Sequence, residues 1–333
     1  MKKLGLNRTG LAALIAVGAL GLNACGSADA ENADTASDSD SAVEVTDMAG
    51  DTHEVPADPS SVIATDNRIF RTLADWDIDL SAAPVDLMDD GMEETKKYTD
   101  NDDILNIGNH REPDMEMVTA AEPDLVLNGQ RFSQHGADIA KAIDDNVPIV
   151  DTNIETETGE IDQEFRDQIS LLGEVFDRED DADALISEFD EALDRAQEAY
   201  DSDMTVSGLV TSGGDINYAA PTTGRAVGPL YDILDLTPAL DDEGSSDHQG
   251  DDISVEAIAD ANPEYLIVMD RDAAVGDGTS SGAKELIEES EALQDVPAVE
   301  NDNVYYMPAD FYLAEDIQNY TTVLNDLADE WSK

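Results

Sequence analysis

Three arginines stand where a bound anion would need them: Arg131 in NGQRFSQ, Arg225 in TTGRAVG and Arg271 in VMDRDAAVG. The chain has 333 residues, with 78 Asp and Glu against 17 Lys and Arg, a net charge of −61 at pH 7. A cation kept in a short loop of so acidic a chain asks for a reason. Each of the three follows an apolar run or lies in a Gly- and Thr-rich loop before a helical pattern, and open α/β sheets place their binding crevices at strand ends. A guanidinium neutralises an anion, donates through a planar fork and lies flat on aromatic rings. The competing reading is three surface ion pairs with neighbouring acids, each worth little. Catalytic chemistry has no comparable support. There is no Ser-His-Asp grouping in a motif context, no phosphate loop of the GxxxxGK type, and a single cysteine, Cys25. His53, His110 and His135 are dispersed and show no ligand spacing.

The elements that must position these residues begin after an export signal. Lys2, Lys3 and Arg8 precede the apolar stretch 10–22, too short to span a bilayer, and LNAC follows it. Residues 1–24 therefore read as a signal peptide. Residues 25–43 read as a lipid-bearing Cys25 with a disordered acidic tether, since 26–42 lack large apolar side chains. Cleavage before Cys25 removes three cations and no acid, so the mature chain is still more negative than the whole. That charge excludes nucleic acid as a partner, because phosphates need basic patches.

The remainder is long enough for two lobes. Apolar runs at 61–66, 82–87, 103–108, 124–129 and 147–152, then 205–213, 216–221, 265–270 and 303–308, read as buried strands alternating with helical patterns. This predicts an N-terminal α/β lobe over 44–158 and a C-terminal one over 203–333, with largely parallel sheets. Between them, 159–202 is nearly free of Gly and Pro. Ile161, Phe165, Ile169, Leu172 and Phe176 recur at helical spacing, as do Ala184, Leu185, Phe189, Leu193 and Ala196. The stretch 182–200 reads as one stiff helix crossing between the lobes. A repeat supports lobes of similar build: EMVTAAEPDLVL (116–127) matches EAIADANPEYLIV (256–268), each a short helix, a Pro-marked stop and a strand.

The ordered series LNAC, PSSVIATD, IGNHREPDMEMVTAAEPDLVLNGQR, TTGRAVGPLYDILDL, ISVEAIADANPEYLIVMDRD and VYYMPADFYL resembles the substrate-binding lipoproteins of iron–siderophore ABC importers. The nearest subgroup is the one that binds catecholate siderophores such as petrobactin. The resemblance covers about 45–331. It implies two Rossmann-like α/β lobes joined by a single long rigid helix, the class III periplasmic-binding-protein architecture, with the ligand in the cleft and little closure. It implies a non-enzymatic receptor with no intrinsic cofactor, a ferric siderophore as ligand, an ABC permease as partner, a lipid-anchored extracytoplasmic location and a monomeric state. It implies that Arg131, Arg225 and Arg271 meet the anion, and that His248 and Tyr312 complete the iron's coordination, imidazole nitrogen and phenolate oxygen both suiting Fe(III). In place of the usual Gly before the first arginine this chain has Gln130, and DDEGSSD precedes His248 as an insertion would. Glu116 and Glu256, one per repeat unit, correspond to the acids that dock on the permease; Glu112 competes for the first place. Another iron chelate, haem, a corrinoid, or an enzyme or adhesin on the same scaffold stay as alternatives. Aromatic residues at 5% disfavour haem, and too few clustered histidines disfavour a bare metal ion.

Overall fold

The structure, a computed structural model, describes residues 42–88, 92–275 and 282–333. The signal sequence and Cys25 lie outside them. An antiparallel hairpin, Ala42–Thr46 with Thr52–Pro56, opens the described chain. The sequence reading had no strands there.

The first sheet is wholly parallel. Its strands are β1 (Val62–Ala64), β2 (Ala82–Ala83), β3 (Leu105–Asn106), β4 (Leu125–Asn128) and β5 (Ile149–Asp151), in the order β3-β2-β1-β4-β5. Every residue of β1 and β4 is buried, as the continuous apolar runs require of strands covered on both faces. The order reverses between β1 and β4, so the chain leaves both strand ends into one crevice.

The second sheet centres on β6 (Thr205–Ser212). The antiparallel β7 (Asp215–Ala219) and the short β8 (Thr237–Pro238) lie on one side, with parallel β9 (Tyr265–Asp270) and β10 (Val304–Tyr306) on the other. The two-residue turn Gly213–Gly214 has φ of 66° and 86°, which fits a hairpin closed by glycines. The sequence repeat is a structural one. Helix Met115–Ala120 leads into β4 and helix Val255–Ala261 into β9, and Asp114 and Ser254 cap the two helices.

Two helices connect the lobes. α1 (Ile161–Phe176) ends at Asp177, whose φ of 53° breaks the chain direction, and α2 (Glu179–Ala199) follows. With 21 residues α2 is about 31 Å long. At its start Arg178 donates to the Trp76 carbonyl (3.4 Å) in the first lobe. Near its end Gln197 donates to the Ile233 carbonyl (2.7 Å) in the second. Its buried stripe is Ala182, Phe189, Ala192, Leu193 and Ala196. Ala184, expected on that stripe, is exposed, because the helix begins at 179 and its register follows Ala182.

The final helix, α3 (Ile317–Trp331), packs along α2 and is pinned to it by Arg195 and Asp329 (2.6 Å). Its first turn reaches the other lobe, where Gln318 donates to Thr72 (3.0 Å) and Arg71 to Asn319 (3.3 Å). Phe165 of α1 and Phe311, just before α3, meet the Tyr320 ring of α3 tilted and edge-on, at centroid distances of 4.9 and 5.0 Å. They belong to one apolar core that runs without a break from Leu73 and Leu127 in the first lobe to Ile267 and Leu324 in the second. Such packing resists hinge motion.

Candidate anion-binding site

The site is assembled from strand ends. β1 runs out through Thr65 and Asp66 to Arg68, and β4 through Gly129 to Gln130 and Arg131 on a 3-10 turn. Gly129 is needed for close approach: a Cβ there would collide with the Asp66 carboxylate and the Thr152 hydroxyl. Asp66 is fully buried, accepts from the Arg68 N–H (2.9 Å) and from Thr152 (3.0 Å), and is pushed up to about 6 by burial in spite of Arg68. The second lobe supplies Arg271 directly after β9. Arg225 comes from a loop closed by the bonds Gly224 N–H to Ala220 carbonyl (2.9 Å) and Thr222 N–H to Gly228 carbonyl (3.0 Å).

These arginines converge on Tyr312, in the short helix Phe311–Ala314 after β10. Arg225 lies 4.4 Å from the ring centroid, Arg271 5.2 Å and Arg131 5.5 Å. The Tyr312 carbonyl accepts from Arg131 and Arg225, both at 3.4 Å. Tyr312 is 4% exposed, and the guanidiniums lie over its ring. A cavity of about 340 Å³ opens beside Arg131 and Arg225, walled by Arg68 and Asn153 of the first lobe and Thr222, Ser246 and Glu315 of the second; Arg271 and Tyr312 lie outside its wall.

The arginines are not ordinary surface pairs. Among the described residues Arg131 and Arg271 have no carboxylate within ion-pair reach. Burial, then the neighbouring Arg225, lowers the Arg131 pKa. The Arg271 Nε is buried with no partner among the described residues, and its Nη1 donates to Ser212 (3.2 Å). Arg225 does have a partner, the buried Glu315. Burial works against its charge, but Glu315 and Tyr312 raise it on balance. Glu315 in turn is held below its usual range: burial opposes ionisation, and Arg225, Arg68 and Arg131 outweigh it. Arg68 completes the group at 3.1 Å from Glu315.

Of the residues singled out in the sequence, Arg131, Arg225, Arg271 and Tyr312 therefore meet. His248 does not touch them: it is half exposed, with Nδ1 3.8 Å from Asp247. Its neighbour Gln249 does reach the cluster, donating to Ser212 (3.3 Å). No group of three or more His, Cys, Asp and Glu able to hold a metal occurs among the described residues. Glu116 and Glu256 are exposed, each at the second position of its capped helix. His53 pairs with Asp47 (2.7 Å) in the N-terminal hairpin, and His135 bonds the His110 carbonyl (2.7 Å). Arg68 and Glu315 were missed. Arg68 follows the strand in VIATDNR just as Arg131 and Arg271 follow theirs, and that signal could have found it. Glu315 had none.

Two α/β lobes, a stiff connecting helix and a charged cleft between them define a ligand-binding protein. Residues 62–311 match the periplasmic binding protein family, and the chain belongs to it. It is 25% identical over 284 residues to the petrobactin-binding protein YclQ of Bacillus subtilis, covering 84% of this chain and 85% of that one. It is 26% identical over 236 residues to the ferric-anguibactin-binding protein FatB of Vibrio anguillarum, covering 70% and 71%. Among solved structures, the siderophore-binding protein BauB, bound to ferric iron and two molecules of acinetobactin, superposes with a TM-score of 0.73 at 22% identity. That superposition covers 87% of this chain and 99% of the other. At that identity the likeness is one of fold.

Proposed function

We propose that this protein captures a ferric siderophore of catecholate type in the interlobe cleft and delivers it to an ABC permease, without chemistry on the ligand. The observation that carries this reading is the convergence of Arg131, Arg225 and Arg271, from both lobes, on one buried tyrosine ring in a strongly acidic molecule. Guanidiniums from both lobes beside a cavity, Arg131 among them without an ion pair among the described residues, favour a polyanion with flat aromatic faces. The curated relatives, named for petrobactin and ferric anguibactin, support the same ligand class. In this reading Tyr312 serves first as the aromatic ring over which the guanidiniums lie. Coordination of the iron by its phenolate, with His248, needs both side chains to move toward the cavity. Glu116 and Glu256 meet the permease, and lipid on Cys25 keeps the protein outside the cytoplasm at the membrane. The lobes then correspond to 44–158 and 203–333, with 159–202 as connector.

A fluorescence titration tests the ligand class. Trp76 and Trp331 report binding of an absorbing ferric complex, and a panel should include ferric petrobactin, ferric anguibactin, haem and a corrinoid. Saturable 1:1 quenching by a ferric siderophore is expected. Binding only to haem or the corrinoid, or turnover of any chelate, would overturn the reading.

A further inference from the structure

We infer that Glu315 is a positioning residue for capture, its buried carboxylate aligning Arg225 and Arg68 from opposite lobes toward the cleft. This rests on the proposed ligand class. Glu315 closes the helix Phe311–Ala314 with a φ of 49°, so the carboxylate and the Tyr312 ring ride on one short piece of backbone. Its two oxygens are divided: Oε1 accepts from the Arg225 Nε, and Oε2 from the Arg68 Nη2 (3.1 Å).

Arginine is a long side chain with a planar fork of five N–H donors. On Arg225 the Nε is given to Glu315 and one Nη2 hydrogen to the Tyr312 carbonyl. Both contacts lie on the same edge of the fork, which leaves the Nη1 hydrogens and one on Nη2 for a ligand. Glu315 has a side chain only 5% exposed and reaches the cavity wall between Arg68 and Arg225, with both oxygens turned to those arginines, so it acts through them. Without its charge, Arg225 would sit close to Arg68 and Arg131 with no ion-pair partner among the described residues. A buried cation that loses its partner is strongly disfavoured, so Arg225 would turn out toward solvent and lose its place on the ring.

The test is a double-mutant cycle read with ferric petrobactin as probe. Glu315→Gln keeps the shape and removes the charge, and should weaken binding about tenfold in the wild-type background. In an Arg225→Ala background the same change should cost about threefold or less, because only Arg68 is left to align. Equal losses in both backgrounds, unchanged affinity or tighter binding would each overturn the proposal. A readout without ligand separates it from the function reading. By NMR, the arginine Nε–H resonance that vanishes in Arg225→Ala should exchange slowly in the wild type and rapidly in Glu315→Gln. Unchanged protection sinks the positioning role. If the wild type binds no ferric chelate, the ligand class fails and the exchange experiment alone decides the role of Glu315. Should Glu315→Gln not fold, Arg68→Gln frees one carboxylate oxygen and should weaken binding about threefold; no change would count against the inference.

Discussion

The two lobes share a helix–proline–strand unit and put it to different use. In the first, β4 passes over Gly129 onto a buried Asp66 and delivers Arg131, while β1 delivers Arg68. In the second, β9 delivers Arg271, a separate tight loop delivers Arg225, and the segment after β10 adds both the ring and the carboxylate that the arginines face. The first lobe contributes charge. The second contributes charge and the frame that orients it. One lobe can therefore vary its cation without dismantling the site, and the other cannot.

The sharpest way to break that contrast is truncation of one arginine per lobe. Arg225→Ala removes a guanidinium that bonds Glu315 and Tyr312 as well as facing the cavity, and should weaken ferric-siderophore binding by about 3 kcal/mol. Arg131→Ala removes one with a single long bond and should cost about 1 kcal/mol. Equal losses in the same titration would erase the distinction.

A smaller effect concerns stability. Each lobe holds one fully buried carboxylate pushed up to about 6 by burial: Asp66, opposed by Arg68, and Asp316, opposed by Arg71. A carboxylate whose folded pKa lies above its unfolded value binds more protons when folded. Its contribution is therefore present at low pH and lost as pH rises through about 6. Each group should add about 1 kcal/mol of stability between pH 7 and pH 5. Asp316→Asn keeps the cap that accepts from the Asn319 N–H (2.8 Å) and should remove that share of the slope. Urea unfolding of both proteins at the two pH values checks it; parallel pH dependences would show that Asp316 does not titrate in this range.

The smallest effect is on association. The acidic exterior repels an anionic chelate at long range, but salt screens that field beyond about 10 Å at ~0.1 M while the contacts in the cleft persist. Stopped-flow association rates should stay level or rise with added NaCl. A steep fall would mean that attraction, not repulsion, governs the approach.

The strands were legible because both sheets bury continuous apolar runs such as VIA and LIVM, and because Pro123 and Pro263 mark the stops before β4 and β9. The short hairpin from Ala42 was not, since its alternate residues are polar and only Val45 and Val55 are fully buried. In the site, scarcity made the arginines readable: a cation after a strand in so acidic a chain is a strong mark. Abundance hid Glu315. One acid among 78 gains meaning only when folding sets it against arginines 90 and 247 positions away in sequence.

That separation has a consequence for how the protein is made. Both arginines of the first lobe are synthesised long before the ring and carboxylate they will face, which lie 181 and 247 positions further on. A partly made chain carries the cations but nothing to arrange them, so it has no means of gripping cargo. Competence arrives late, once the segment around Tyr312 and Glu315 closes onto residues that have waited for it.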